Sequence, residues 1–284
     1  MSITASQVNE LRKKTGAGIM DCKKALTEAD GNMEKAIEIL RKKGASVAAK
    51  RAEKSASEGL VLTKVSADKK SATIVEVNCE TDFVAKGNDF NSFANYVLEN
   101  IHKNKPVNLD ALLKDEQLKN SLTDLMGKVG EKVEISRFVN ENDDNAIFID
   151  YVHMGSKLGV IVKIGNVAKA TDELVNLGRD IAMQIAAMKP ICVRREEVPQ
   201  EVVNKEIEIY KEMSRKEGKP EQILEKISQG KLNKYYQENC LIEQTYIKDN
   251  TKTVDKLINE YNERNKSDIN IVHFHRLHLS DENK

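Results

Sequence analysis

Leu60-Val61-Leu62-Thr63-Lys64-Val65 and Ala72-Thr73-Ile74-Val75-Glu76-Val77-Asn78-Cys79, with the polar stretch Ser66–Ser71 between them, decide the fold. Both runs are β-branched and of strand length, and the polar segment joining them suits a hairpin. Upstream of Gly59 the apolar residues recur at helical spacing; downstream, strands and helices are mixed. The sequence therefore predicts an α+β chain, a helical module joined to a mixed core.

Beyond the hairpin, Asn88 is expected to cap a helix carrying Phe90, Phe93, Ala94, Val97, Leu98 and Ile101. A second helix carries Leu112, Leu118, Leu122, Leu125, Met126 and Val129, and a strand follows at Val133–Val139. The second half repeats this order. Ala146–Met154 and Leu158–Ile164 read as paired strands, Thr171 opens a helix that ends before Pro190, and a helical segment leads to a strand at Ile269–Leu279. Two related subdomains are predicted, 59–140 and 141–284.

The helical segment of the second half differs from its counterpart. Glu201–Met213 and Glu221–Tyr236 carry a narrow apolar seam (Val203, Ile207 and Tyr210; Ile223 and Ile227) amid many charges, with Glu217-Gly218-Lys219-Pro220 between them. This predicts a protruding antiparallel helical hairpin, about 198–236, too charged to be buried all round. It is either a solvated arm or a surface for self-association or partner contact.

Residues 1–44 read as three short helices. Thr4 and Gln7 have capping-box spacing, Thr15-Gly16-Ala17-Gly18 ends the first helix, and Asp30-Gly31-Asn32 ends the second. Met33, Ala36, Ile37 and Leu40 mark the third, with Gly44 as its C′ residue. Residues 45–58, rich in Ala, Lys, Ser and Glu, suit a helical or flexible linker. So small a bundle fits recognition better than catalysis.

The whole chain narrows the function further. Its 284 residues carry 45 Lys+Arg against 45 Asp+Glu, without the cationic surplus that sequence-independent nucleic-acid binding needs. Cys22, Cys79, Cys192 and Cys240 are scattered, the first residues show no signal-peptide pattern, and no stretch approaches a membrane span. A cytoplasmic protein with reduced thiols is expected. No P-loop, GxGxxG after a strand, GxSxG or HExxH appears. Cys79, followed by Glu80, lacks the cationic neighbour that a nucleophile needs. In His273-Phe274-His275-Arg276-Leu277-His278, a strand would put His273 and His275 on one face with Ile271, Leu277 and Leu279, and His278 on the other. With no carboxylate or thiol at ligand spacing, these read as ordinary strand histidines, and no metal is expected.

Three segments keep two readings open. Thr15–Leu26 places Ile19 and Met20 beside a Gly-rich turn, as core or as exposed contact. Glu76–Lys86 runs from a strand end towards a helix; either Thr81 or Asp82 is a cap and Phe83 a core residue, or the loop serves recognition. His153-Met154-Gly155-Ser156-Lys157-Leu158-Gly159-Val160 is a Gly-bearing turn between strands.

Together these segments resemble a family. TGAGIMDCKKAL with DGNMEKAIEILRKKG resembles the ubiquitin-associated-like module of the elongation factor Ts family, and EVNCETDFVAK resembles its most characteristic stretch. HMGSKLGVIV resembles its HxGGRIGV turn, with Ser156, Lys157 and Leu158 departing from it, and KPEQILEKISQGKLNKYYQENCLIEQ resembles the segment around its arm. The matches run in family order over nearly the whole chain.

The resemblance implies a non-enzymatic guanine-nucleotide exchange role on elongation factor Tu, in its GDP-bound and nucleotide-free forms, with no cofactor. It implies that Arg12, Ile19 and Met20 dock on the nucleotide-binding domain of Tu, with His153 on the partner-facing side of the core. Thr81, Asp82, Phe83 and Val84 would intrude beside the Mg²⁺ and phosphate site, Phe83 as the wedge. Two rivals explain less. A general ubiquitin-associated-like adaptor leaves the Thr81–Val84 loop without purpose, and a metal-dependent enzyme would rest on the C-terminal histidines alone.

Overall fold

The computed structural model describes residues 3–281, so the outermost positions of the predicted bounds lie outside the described residues. Three helices come first: α1 (Ala5–Thr15), α2 (Ile19–Glu28) and α3 (Met33–Arg51). Thr4 and Gln7 form a complete capping box on α1, and Gly16 closes that helix at φ 68°, a conformation that glycine tolerates best. Val8, Leu11, Cys22, Ala25, Leu26 and Ala36 make the module's small core.

The first half of the mixed core follows: β1 (Glu58–Val65), β2 (Ser71–Cys79), α4 (Asp82–Ala85), α5 (Asn88–Asn104), α6 (Leu109–Leu112), α7 (Glu116–Val129) and β3 (Val133–Asn142). The second half holds β4 (Ile147–Val152), β5 (Leu158–Gly165), α8 (Asp172–Met188), α9 (Gln200–Lys216) and α10 (Glu221–Asn239). A small hairpin, β6 (Thr245–Tyr246) with β7 (Asp249–Thr253), then leads to α11 (Val254–Asn265) and β8 (Asn270–His278). Each half builds an antiparallel three-stranded sheet with its second strand central, β1-β2-β3 and β4-β5-β8. Each sheet also has one register shift near the start of its last strand, at Glu76/Val77 against β3 and at Lys163/Ile164 against β8. The two halves thus share strand order, pairing and the place of the bulge.

The sheets face each other. Val61, Ala72 and Ile74 of one meet Phe148, Ile161, Leu277 and Leu279 of the other, while helices cover both outer faces. Burying a side chain as large as Phe148 stabilises by roughly 1.5–3 kcal/mol. Gly159 allows the close approach, since a Cβ there would lie 2.8 Å from Val61 Cγ1. Polar links reinforce it. The Thr63 hydroxyl donates to Asp150 at 2.6 Å, and the fully buried Glu76 faces Arg137 at 2.8 Å, which also reaches Asp281.

Four expectations are corrected. First, α3 runs through Gly44 to Arg51, so the first half of 45–58 is helix continuous with the module. Gly44 lies where α3 crosses α7. A Cβ on it would sit 2.6 Å from the Thr123 carbonyl oxygen, and one on Gly127 would sit 2.9 Å from the Gly44 Cα. Glycine here permits a helix crossing and not a left-handed stop. Second, Gly87 and not Asn88 is the N-cap of α5, because α4 ends immediately before it, and Asn91 donates back to Ala85 and Gly87. Third, Leu112 belongs to the short α6, since Asp115 caps α7 afresh. Fourth, the seam of α10 is Leu224, Ser228, Leu232 and Tyr236, one residue round from Ile223, which is 41% exposed. The fully buried Ser214 and Ser228 let the two arm helices pack closely.

Candidate functional site

Thr81–Val84 forms a rigid projection. β2 is buried along its whole length up to Cys79, and Thr81 then caps the single turn α4, its hydroxyl accepting from the Val84 N–H. The Thr81 N–H and hydroxyl both donate to Glu131, at 3.0 and 2.7 Å. Next to it, Glu80 accepts from the Lys132 N–H at 2.7 Å and pairs with Arg51, at the end of α3, at 2.7 Å. Two carboxylates thus brace the base of the loop to the α7–β3 turn and to the helical module.

Phe83 stands on that base with 84% of its surface exposed, so it is not the core residue that spacing alone allowed. The braced turn holds the phenyl ring clear of its own protein. Asp82 pairs with Lys86 at 2.6 Å. The Lys86 hydrogen bond, with the charge of Lys157 behind it, holds the Asp82 carboxyl below its ordinary range. It is therefore an anion at neutral pH. Cys79 is buried, and burial with Glu131 nearby pushes its thiol up to about 12, which removes it as a nucleophile.

The turn after β4 lies at the same end of the core. The Ser156 carbonyl accepts from the Val61 N–H at 2.6 Å, and Lys157 pairs with Glu58, opposite Cys79 in the sheet, at 2.7 Å. His153 is exposed, with its Nδ1 2.8 Å from the Tyr151 hydroxyl, and Met154 beside it is 91% exposed. Ile19 and Met20 are 51% and 63% exposed at the start of α2, so they are not core. Arg12 stays on the module too, lining a shallow cleft with Lys13, Asp89 and Lys128. The structure thus gathers Thr81–Val84 and His153 at one end of the core and leaves Arg12, Ile19 and Met20 on the helical module. Sequence reasoning missed Glu131, Arg51 and Met154. An acid after a helix-ending glycine and a basic helix end are too common to single out without the fold.

Residues 80–281 match the family model described as Elongation factor TS. The chain belongs to the elongation factor Ts family. It is 46% identical to elongation factor Ts of Chloroherpeton thalassium over 98% of this chain and 99% of that one. Elongation factor Ts of Chlorobium phaeobacteroides is 44% identical over 98% of each chain, and that of a Clostridium botulinum strain 42% identical over 96% of this chain and 92% of its own. Membership places the chain among translation elongation factors. No helix among the described residues is long and apolar enough to cross a membrane.

One departure from the elongation factor Ts turn has a physical cost. Ser156, in place of the second glycine, sits at φ 53°. A residue with a Cβ loses about 1–2 kcal/mol in that conformation, and glycine's greater freedom when unfolded returns only part of it. Ser156→Gly is expected to raise stability by about 0.5 kcal/mol, read as a melting-temperature gain of roughly 1–2 °C. A lower melting temperature would show that the serine makes a compensating contact.

Proposed function

We propose that the chain binds elongation factor Tu and promotes GDP release by disturbing its Mg²⁺ and phosphate site, with no bond chemistry of its own. The exposed, braced Phe83 carries this reading. GDP is held largely through Mg²⁺, which demands near-ideal octahedral geometry and tolerates little displacement of its ligands. A factor that binds the nucleotide-free or distorted partner better than the GDP-bound one weakens GDP by the same factor that GDP weakens it. A rigid aromatic ring that fits only an opened pocket supplies that difference. The anionic Asp82 beside it acts on the metal shell or on a phosphate-loop lysine.

Arg12, Ile19 and Met20 provide docking on the nucleotide-binding domain, and His153 with its turn adds a second contact. Exposed apolar Ile19 and Met20 suit adaptable contact, since methionine repacks readily. The test is stopped-flow release of labelled GDP from elongation factor Tu. Substoichiometric amounts of the chain should accelerate release many-fold. Release at the spontaneous rate under saturating chain would overturn the proposal.

A further inference from the structure

His273 and His275 share a face with Leu277 and Leu279, as the sequence suggested, but Ile271 does not join them. The register shift between Lys163 and Ile164 leaves Val272 as an extra residue in β8, so Ile271 packs under the helices while Leu277 and Leu279 face the first sheet. His273 and His275 turn to that same inter-sheet side, and there a carboxylate meets them. Glu141, near the end of β3, places one oxygen, Oε1, 2.5 Å from the Nε2 of His273 and 2.5 Å from the Nε2 of His275. Sequence spacing could not show this ligand, because it arrives from the other half of the core.

We propose that Glu141, His273 and His275 form a binding site for one divalent transition-metal ion, best fitted by zinc, that clasps the two halves of the core. Their donor atoms lie within 4.8 Å of one another. Two imidazoles and a carboxylate are a borderline donor set that suits Zn²⁺ over Mg²⁺ or Ca²⁺, with water completing a tetrahedron. The three side chains are each between a fifth and about a third exposed, enough for an ion to enter and for the rings to adjust. At metal–ligand distances of about 2.0–2.2 Å the donors must spread to roughly 3.3 Å apart, a shift of under about 1 Å for each side chain. Each neutral imidazole keeps its proton by moving it from Nε2 to Nδ1, and a protonated one releases a proton on binding.

The surroundings limit the affinity without closing the site. Lys163 Nζ lies 3.7 Å from the other Glu141 oxygen but is held at 2.9 Å by Asp143, which shares its charge. Burial would raise the Glu141 carboxyl, but the hydrogen bonds to the two imidazoles outweigh it and lower it. His278 lines a different groove with Tyr151 and His153, so it serves as an internal control.

Isothermal titration of the metal-free full chain with Zn²⁺ tests the site, with Co²⁺ absorption reporting coordination. One ion per chain is expected, with a micromolar dissociation constant. His273→Ala, His275→Ala and Glu141→Gln should each weaken it at least tenfold, whereas His278→Ala should leave it unchanged. Zn²⁺ should also raise the melting temperature of the unaltered chain and not of the three variants, since the donors converge only in the folded state. Glu141→Gln keeps the side chain's size and one hydrogen-bond acceptor, so it separates lost ligation from lost folding. No stoichiometric Zn²⁺, or binding insensitive to these three substitutions, overturns the proposal.

Discussion

Phe83→Ala is expected to slow chain-stimulated release of GDP from elongation factor Tu by about ten- to a hundredfold, the range that coupling energies of roughly 1–3 kcal/mol produce. The substitution removes a ring that is almost wholly exposed, so the chain itself should lose no more than about 0.5 kcal/mol of stability. In the proposed mechanism the wedge acts on the difference between two partner states and not on docking as such. Affinity for the nucleotide-free partner should therefore fall far less than the exchange rate. Stopped-flow release of labelled GDP, beside calorimetric binding to nucleotide-free Tu, separates the two. Asp82→Ala is the companion variant, and it also frees Lys86 from its ion pair. Unchanged exchange in both variants would sink the wedge mechanism. Equal losses of exchange and affinity would make Phe83 a docking residue only.

Much of this site was legible in the sequence for a physical reason. A strand that ends at Cys79 and a cap-forming threonine two residues later leave little freedom for what lies between, so the place of the loop followed from local patterning. Its orientation did not. Whether Phe83 points in or out depends on Glu131 and Arg51, which reach Thr81 and Glu80 from elements distant in sequence. The same divide runs through the fold. The six long strands and the arm helices fell at the predicted places because periods of 2 and 3.6 are local properties, whereas the short β6–β7 hairpin lies in a stretch that read as helical. The β8 bulge, the Glu141 carboxylate between two histidines and the packed face of α10 are set by a neighbour's shape. No period encodes a neighbour.

Gly44 is the sharpest instance, and it carries the second large expectation. Read alone, a glycine after a charged helical turn is a C′ residue, and Gly16 is one. In the structure Gly44 is a buried contact point between α3 and α7, with Thr123 and Gly127 against it. Gly44→Leu should improve the local helix by about 0.5–1 kcal/mol, since leucine is a far better helix former. Its side chain nevertheless meets backbone and not a flexible side-chain tip, so the helices must part, at a cost of about 2–3 kcal/mol or more. Packing outweighs propensity, and the seam should loosen by about 2 kcal/mol net. Hydrogen exchange reads the result locally. Amides of α3 beyond Gly44 and of α7 should lose protection, while those of β2 and β5 stay protected. Protection that rises throughout would mean that propensity wins and that the crossing yields freely. If the seam opens as expected, the strut from α3 through Arg51 to Glu80 slackens with it. Exchange on Tu should then slow although the Thr81–Val84 residues are untouched, because a wedge works only on a base that does not move.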